Sequence, residues 1–363
     1  MPKPKTKFQK HFWTIIFILI NIVVIAWTAF SEFGNSDNAA KFSDIKINWP
    51  MFIPAILLFI IATFLEIYKY ILMMKETCGK VDWKTARRTV LIGRYYDNIT
   101  PAAVGGQPFQ IYYMHKNANI PEGYATTIPI IGMISGQIGF FIIAVFAFLF
   151  GSFAINNAPL IATACFGLIF YAFFPSLVII ATFLPKGTSE LVGIVIKFLA
   201  KIHIIKDKDK AIKETNQKIN DYAKCVKTIF KTRGLFLKTI LIAMALHLCF
   251  YSIPFFVLTA LGGKVDFLTC LLTTFAVTSA VSFIPTPGNA GAAEGTFYMV
   301  FSSLTSGYVF WAMLIWRFFS FYIYIIMGAL SYFFMHLENK GKENPLSIWW
   351  TSFKNFFKNL KTT

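Results

Sequence analysis

The amino-acid sequence predicts an all-α, polytopic membrane protein, and three observations carry that prediction. Of 363 residues, 56% are hydrophobic and only 14% are charged, whereas a soluble domain carries about 25% charged residues. Several apolar runs, Met51 to Met74 the clearest, reach the roughly 20 residues that a helix needs to cross a bilayer. The net charge of +17 is distributed over short segments beside those runs. That is the positive-inside pattern of membrane proteins, not the footprint of a nucleic-acid binder.

Taken in order, the chain opens with Lys3, Lys5, Lys7 and Lys10 and then an apolar run from Trp13 to Phe30. This reads as a retained first span with its amino terminus inside rather than a cleaved signal, whose apolar core would be shorter. Residues 31–49 lean acidic and are expected outside. Met51 to Met74 returns inward, and residues 75–94, with Lys75, Lys80, Lys84, Arg87, Arg88 and Arg94, are expected in the cytoplasm. Ala125 to Phe150 and Pro159 to Leu184 are the next two spans. Residues 186–234 are rich in lysine and carry Ile212, Ile219, Tyr222, Val226 and Ile229 as one apolar stripe on a charged helix, either lying on the inner membrane surface or docking a partner. Leu235 to Leu261 and Val309 to Phe334 complete six predicted spans, so that residues 1–335 form the membrane domain and 336–363 a basic cytoplasmic tail.

Two segments break this pattern. Residues 95–124 contain Pro101, Gly105, Gly106, Pro108 and Pro121, and residues 267–304 contain Pro285, Pro287, Gly288, Gly291 and Glu294. Irregular backbone at membrane depth survives only where protein or a wet cavity surrounds it. Parity of the flanking spans makes each segment enter and leave by one face, the first from the cytoplasm and the second from outside. The first is too interrupted to cross, whereas the second reads as a re-entrant hairpin or as two full crossings. Thr100-Pro101-x-x-x-Gly105 and Thr286-Pro287-x-x-x-Gly291 share one frame, which is the trace an inverted-topology repeat leaves.

The chemistry expected here is that of a polar path. Pro108 suits the first position of a helix, and Asn289 or Gly288 suits the cap of another. Each glycine-rich turn then feeds a helix amino terminus. Such a turn either packs tightly or binds an anion, and in a membrane the obvious anion is a lipid phosphodiester. Arg317 lies about 13 Å into the last span at helical rise, close to mid-membrane, where an arginine is paired or functional. Glu294 is its expected partner, either as a structural pair or as the lining of a headgroup path. Arg94 and Asp97 are expected near the interface, Glu66 is expected to snorkel with Lys69, and His247 reads as a helix-packing residue. The five cysteines show no Cys-x-x-Cys spacing, which argues against a disulfide frame or zinc site. Neither a nucleotide-binding loop nor a hydrolase motif is present, and no cofactor is expected.

At the two broken segments the chain resembles the transmembrane flippase region of bacterial phosphatidylglycerol lysyltransferases, the multiple-peptide-resistance proteins, and its stand-alone relatives. The residues that carry the resemblance are Arg87-Arg88, then Asn98, Pro101 and Gly105-Gly106, then Pro287-Gly288, Gly291 and Glu294, then Arg317, in that order. Where many members have an acid and an arginine after the paired glycines, this chain has Gln107 and Gln110, and where many have an arginine in the third span it has Gly136 and Gln137. The resemblance implies translocation of a phospholipid between leaflets of a bacterial cytoplasmic membrane, with anionic or aminoacylated phosphatidylglycerol as substrate. It implies a path lined by Pro101, Gly105, Gly106, Gln107, Gln110, Pro287, Gly288, Asn289, Gly291, Glu294 and Arg317. The alternative it implies is the membrane component of lysyl-phosphatidylglycerol synthesis acting with a separate tRNA-dependent transferase. A homo-oligomer is compatible with either, and aminoacyl transfer by this chain alone is not expected.

Overall fold

The structure is a computed structural model that describes residues 45–79, 82–100, 105–151, 158–184, 234–305 and 308–338, with scattered positions between 187 and 217. The first predicted span, Pro101, most of the 186–234 segment and all but the first residues of the tail lie outside the described residues. Among the described residues every element is helical.

Helix α1, Trp49–Cys78, starts with a proline in its first turn, where no backbone donor is needed, and ends at Gly79 in the left-handed conformation. Helix α2 is Trp83–Ile99, capped by the Asp82 carboxylate on the Lys84 N–H. The short helix α3, Gly106–Tyr112, continues into a π-helical turn at Tyr113–Asn117. Helices α4, Glu122–Gly151, and α5, Ala158–Phe183, follow, then α6, Leu235–Ala260. Helix α7, Phe267–Val281, and helix α8, Ala292–Phe301, are separated by a tight turn at Pro287–Asn289. Helix α9, Val309–Arg317, passes through a π-helical turn at Phe318–Tyr322 into α10, Ile323–Glu338.

Four stretches are long and apolar enough to cross a membrane: Trp49–Cys78, Glu122–Leu149, Leu235–Ala260 and Val309–Met335. Together with α5 they match five of the six predicted spans in position. Their outer faces carry Ile53, Leu57, Ile60, Phe64, Phe146, Leu241, Ile326 and Phe333, all exposed, as lipid contact requires and water would not tolerate. The arms of the second broken segment measure 15 and 10 residues, about 22 Å and 15 Å at helical rise. Neither reaches across a hydrocarbon core about 30 Å thick. In the first broken segment the leading arm begins at Trp83, upstream of the expected residue 95. The arginine-bearing stretch read as a cytoplasmic loop is therefore a helix, with Arg88 buried.

The helices close on two apolar cores. One gathers Phe59, Val257, Phe297, Phe301, Phe310 and Trp316; the other gathers Ile67, Met73, Met74, Ile128 and Ile131. Helix α1 lies along α6, and the Asn48 N–H donates to the Ala260 carbonyl at 2.8 Å. Without water to drive apolar association, membrane helices pack by backbone approach at small residues. Gly167 of α5 meets α7 so closely that a Cβ there would sit 1.8 Å from the Ser279 carbonyl oxygen, and Gly328 of α10 meets Tyr95 and Leu91 of α2 in the same manner.

Candidate functional site

The two broken segments are built alike at their turns. In the second, Gly288 and Gly291 adopt positive φ of 57° and 84° and Asn289 adopts 54°. The cap of α8 is Gly291, not Asn289 or Gly288 as expected. Its N–H donates to Glu294 Oε2 at 2.7 Å. Glu294 Oε1 accepts from Arg317 Nε at 2.6 Å, and Arg317 Nη2 donates to the Gly288 carbonyl at 3.2 Å. The guanidinium also lies 4.7 Å from the Phe321 ring centre. The expected pair therefore exists, with 2% and 4% of each residue exposed. It closes on itself and on the turn, so little donor or acceptor capacity remains.

In the first, the Gly106 N–H donates to Asp97 Oδ1 at 2.9 Å and the Gly105 N–H to Thr100 Oγ1 at 2.9 Å. Pro108 falls within the first turn of α3 rather than at its first position. The anion expected at each helix amino terminus is thus supplied by the chain itself, Asp97 at one and Glu294 at the other. Gln110 is buried and serves as a brace: its amide donates to the Thr89 carbonyl, and its oxygen accepts from the Tyr70 hydroxyl, both at 3.1 Å. Gln107 is half-buried, and Pro287 lies in the tight turn. The tips meet, since a Cβ on Gly288 would collide with Phe321 at 2.2 Å and lie 3.4 Å from the Asn98 carbonyl of α2.

A second group of charges, spread over the sequence, forms the polar centre of the bundle. Arg94 Nε donates to Glu66 Oε2 at 3.0 Å, and its Nη2 lies 3.0 Å from the same oxygen. The guanidinium also sits 5.5 Å from the Tyr324 ring centre. Lys69, 3% exposed, donates to the Gly132 carbonyl at 2.9 Å rather than snorkelling beside Glu66. Asp97 stands within electrostatic reach of both Arg94 and Glu66, and Tyr171 and Tyr251 stand within reach of Arg94. His247 contacts the Gly136 carbonyl at 3.0 Å. Contributions come from α1, α2, α4, α5, α6 and α10. Arg94 keeps 38% of its side-chain surface although protein surrounds it on all these elements. Surface exposed at that depth belongs to an interior opening, and Arg94 forms part of its wall. Along α1 this chamber lies between the two cores, after Phe59 and around Ile67.

Sequence reasoning placed Arg94, Asp97, Glu66 and Lys69 at the membrane surface. The available signal was spacing: Glu66 and Lys69 fall on one face of α1, and Arg94 and Asp97 on one face of α2, three residues apart. Two such faces inside one bundle pair with each other when they face.

An all-helical, membrane-embedded bundle with broken helices and charges in its interior defines a class of integral membrane proteins with a polar path through an apolar body. Residues 13–328 match the family described as the lysylphosphatidylglycerol synthase TM region, and the chain belongs to that family. Among curated proteins none matches the chain significantly.

Proposed function

We propose that the chain is a lipid translocase that carries phospholipid head groups between the leaflets of a bacterial cytoplasmic membrane, with both termini in the cytoplasm. The observation that supports this most is the accessible Arg94 wall inside an apolar bundle. A charged opening among lipid-facing helices offers a head group a low-barrier route while the acyl chains stay in lipid. The matched carboxylate-to-turn bonds, Asp97 to Gly106 and Glu294 to Gly291, support an inverted repeat whose broken helices meet at the path. In this reading Pro101, Gly105, Gly106, Gln107, Gln110, Pro287, Gly288, Asn289 and Gly291 shape the two tips, while Glu294 and Arg317 fix the second tip beside the path.

The test is reconstitution into liposomes containing acyl-chain-labelled phospholipid, with dithionite added outside. The expected outcome is bleaching of the inner-leaflet pool by wild-type protein and its loss in Arg94→Gln. Bleaching no deeper than in protein-free liposomes overturns the proposal.

The family description favours a second reading, a membrane component of lysyl-phosphatidylglycerol synthesis that works with a separate transferase. Lysyl-phosphatidylglycerol formed by the purified chain from lysyl-tRNA and phosphatidylglycerol would place the synthesis in this chain itself.

A further inference from the structure

We propose that the central chamber selects a phospholipid head group with no net charge, a phosphodiester that also carries a protonated primary amine. This rests on the lipid-handling reading above and adds the substrate class.

Four ionisable side chains carry the argument, and in their ionised forms they balance. Lys69 and Arg94 bring two positive charges; Glu66 and Asp97 bring two negative ones. A chamber of zero formal charge within low dielectric disfavours a ligand with unbalanced charge and favours one whose own charges are both present and opposed.

The donors and acceptors fit such a ligand. Arg94 directs Nε and Nη2 at a single oxygen of Glu66, so its Nη1 edge has no hydrogen-bond partner among the described residues. Lys69 has three protons and bonds one carbonyl. An arginine edge and an ammonium beside each other bind phosphate oxygens well.

On the acceptor side, Glu66 Oε1 and Asp97 Oδ2 have no hydrogen-bond partner among the described residues, because Arg94 uses Oε2 of the one and Gly106 uses Oδ1 of the other. Carboxylate oxygens that accept N–H bonds suit a primary ammonium rather than a quaternary one, which has no proton to give. Tyr171 and Tyr251, within electrostatic reach of Arg94, add polarisable ring faces. The Glu294–Arg317 pair offers no comparable capacity, since its bonds are spent within the turn.

The experiment compares acyl-labelled phosphatidylethanolamine with acyl-labelled phosphatidylglycerol in the same proteoliposomes. Wild-type protein should move the ethanolamine lipid at least about tenfold faster, since specificity is the difference between two binding energies. Asp97→Asn leaves the chamber net positive and should reverse the order in favour of phosphatidylglycerol. Asp97 also caps α3, so Lys69→Gln is the second variant. It keeps a donor for the Gly132 carbonyl, leaves the chamber net negative and should slow phosphatidylglycerol more than phosphatidylethanolamine.

Faster movement of phosphatidylglycerol by wild-type protein, or an unchanged preference in whichever variants fold, overturns the substrate class and leaves the translocase reading standing. No movement of either lipid overturns both. Free glycerophosphoethanolamine at millimolar concentration is the control for source. Its binding without any lipid movement assigns the chamber to a soluble zwitterion and overturns the lipid assignment.

Discussion

Glu294 and Arg317 are held by more than each other, and this sets what their removal does. Glu294→Leu leaves the guanidinium buried without its counter-charge, and Arg317→Met leaves the carboxylate; each should cost about 3–5 kcal/mol. The Glu294→Leu/Arg317→Met double variant should recover most of that loss. It should not recover all of it, because the Gly291 N–H and the Gly288 carbonyl each lose a partner, worth about 1 kcal/mol apiece. Thermal unfolding in detergent measures the stabilities, and labelled-lipid movement measures function. A double variant that is stable and fully active removes the pair from the path, and losses that simply add show that the two side chains do not interact. This pair was legible in the sequence because depth and chain order leave few alternatives. The Arg94–Glu66 pair was not, since its members sit 28 residues apart on different helices. A local reading instead joined Glu66 to Lys69, three positions away. Only packing reveals that Lys69 turns to the Gly132 carbonyl.

At the level of elements, α2 and α10 are tied at one end by Glu338. Arg88 Nη1 and Nη2 donate to its two carboxylate oxygens at 2.9 and 2.8 Å, and Lys84 Nζ lies 2.9 Å from Oε2. Glu338 lies beyond the apolar span, and the Arg88 and Lys84 hydrogen bonds hold its carboxyl at about 2, well below the usual 4.5. A carboxylate so lowered contributes stability that is fully present above about pH 4.5 and disappears as pH falls through about 2. Glu338→Gln should therefore unfold at a lower temperature than wild type at neutral pH, with the gap constant down to about 4.5 and closing toward 2. Unfolding temperatures of the two proteins across that range check it, and a gap that does not change with pH contradicts it. The bond also explains why the first broken segment was read too short. Arginine and lysine beside apolar runs mark water in a sequence, yet Arg88 is turned inward to a partner 250 residues away. The apolar spans were legible, because length and hydrophobicity are local properties; the amino-side boundary of α2 depends on Glu338, which is not local.

For the whole molecule, the sidedness of the bundle follows from charge. With the native cysteines replaced, cysteine at Lys264 should react with a membrane-impermeant maleimide added outside intact cells, while cysteine at Lys84 or Lys116 should react only after permeabilisation. External labelling at Lys84 or Lys116 contradicts the orientation and the inverted relation of the hairpins with it. What the sequence concealed at this scale is the convergence of six elements on one polar centre. Each contributes one or two polar residues to an otherwise apolar stretch, and none is distinctive until the helices are assembled.

The π-helical turn at Phe318–Tyr322 has a consequence for how the last span is counted. Such a turn holds one residue more than an α-helix needs over the same rise, so the chain from Val309 to Glu338 is an α-helix with a single residue inserted directly after Arg317. That residue sets the angular phase of everything beyond it. Take it out and the helix runs unbroken, with Ile323–Glu338 turned by about 100° while Arg317 keeps its place on Glu294. Tyr324 would swing away from Arg94, and Glu338 away from Arg88. One inserted residue thus keeps two ends of one helix, each with its own salt bridge or ring contact, facing the same interior.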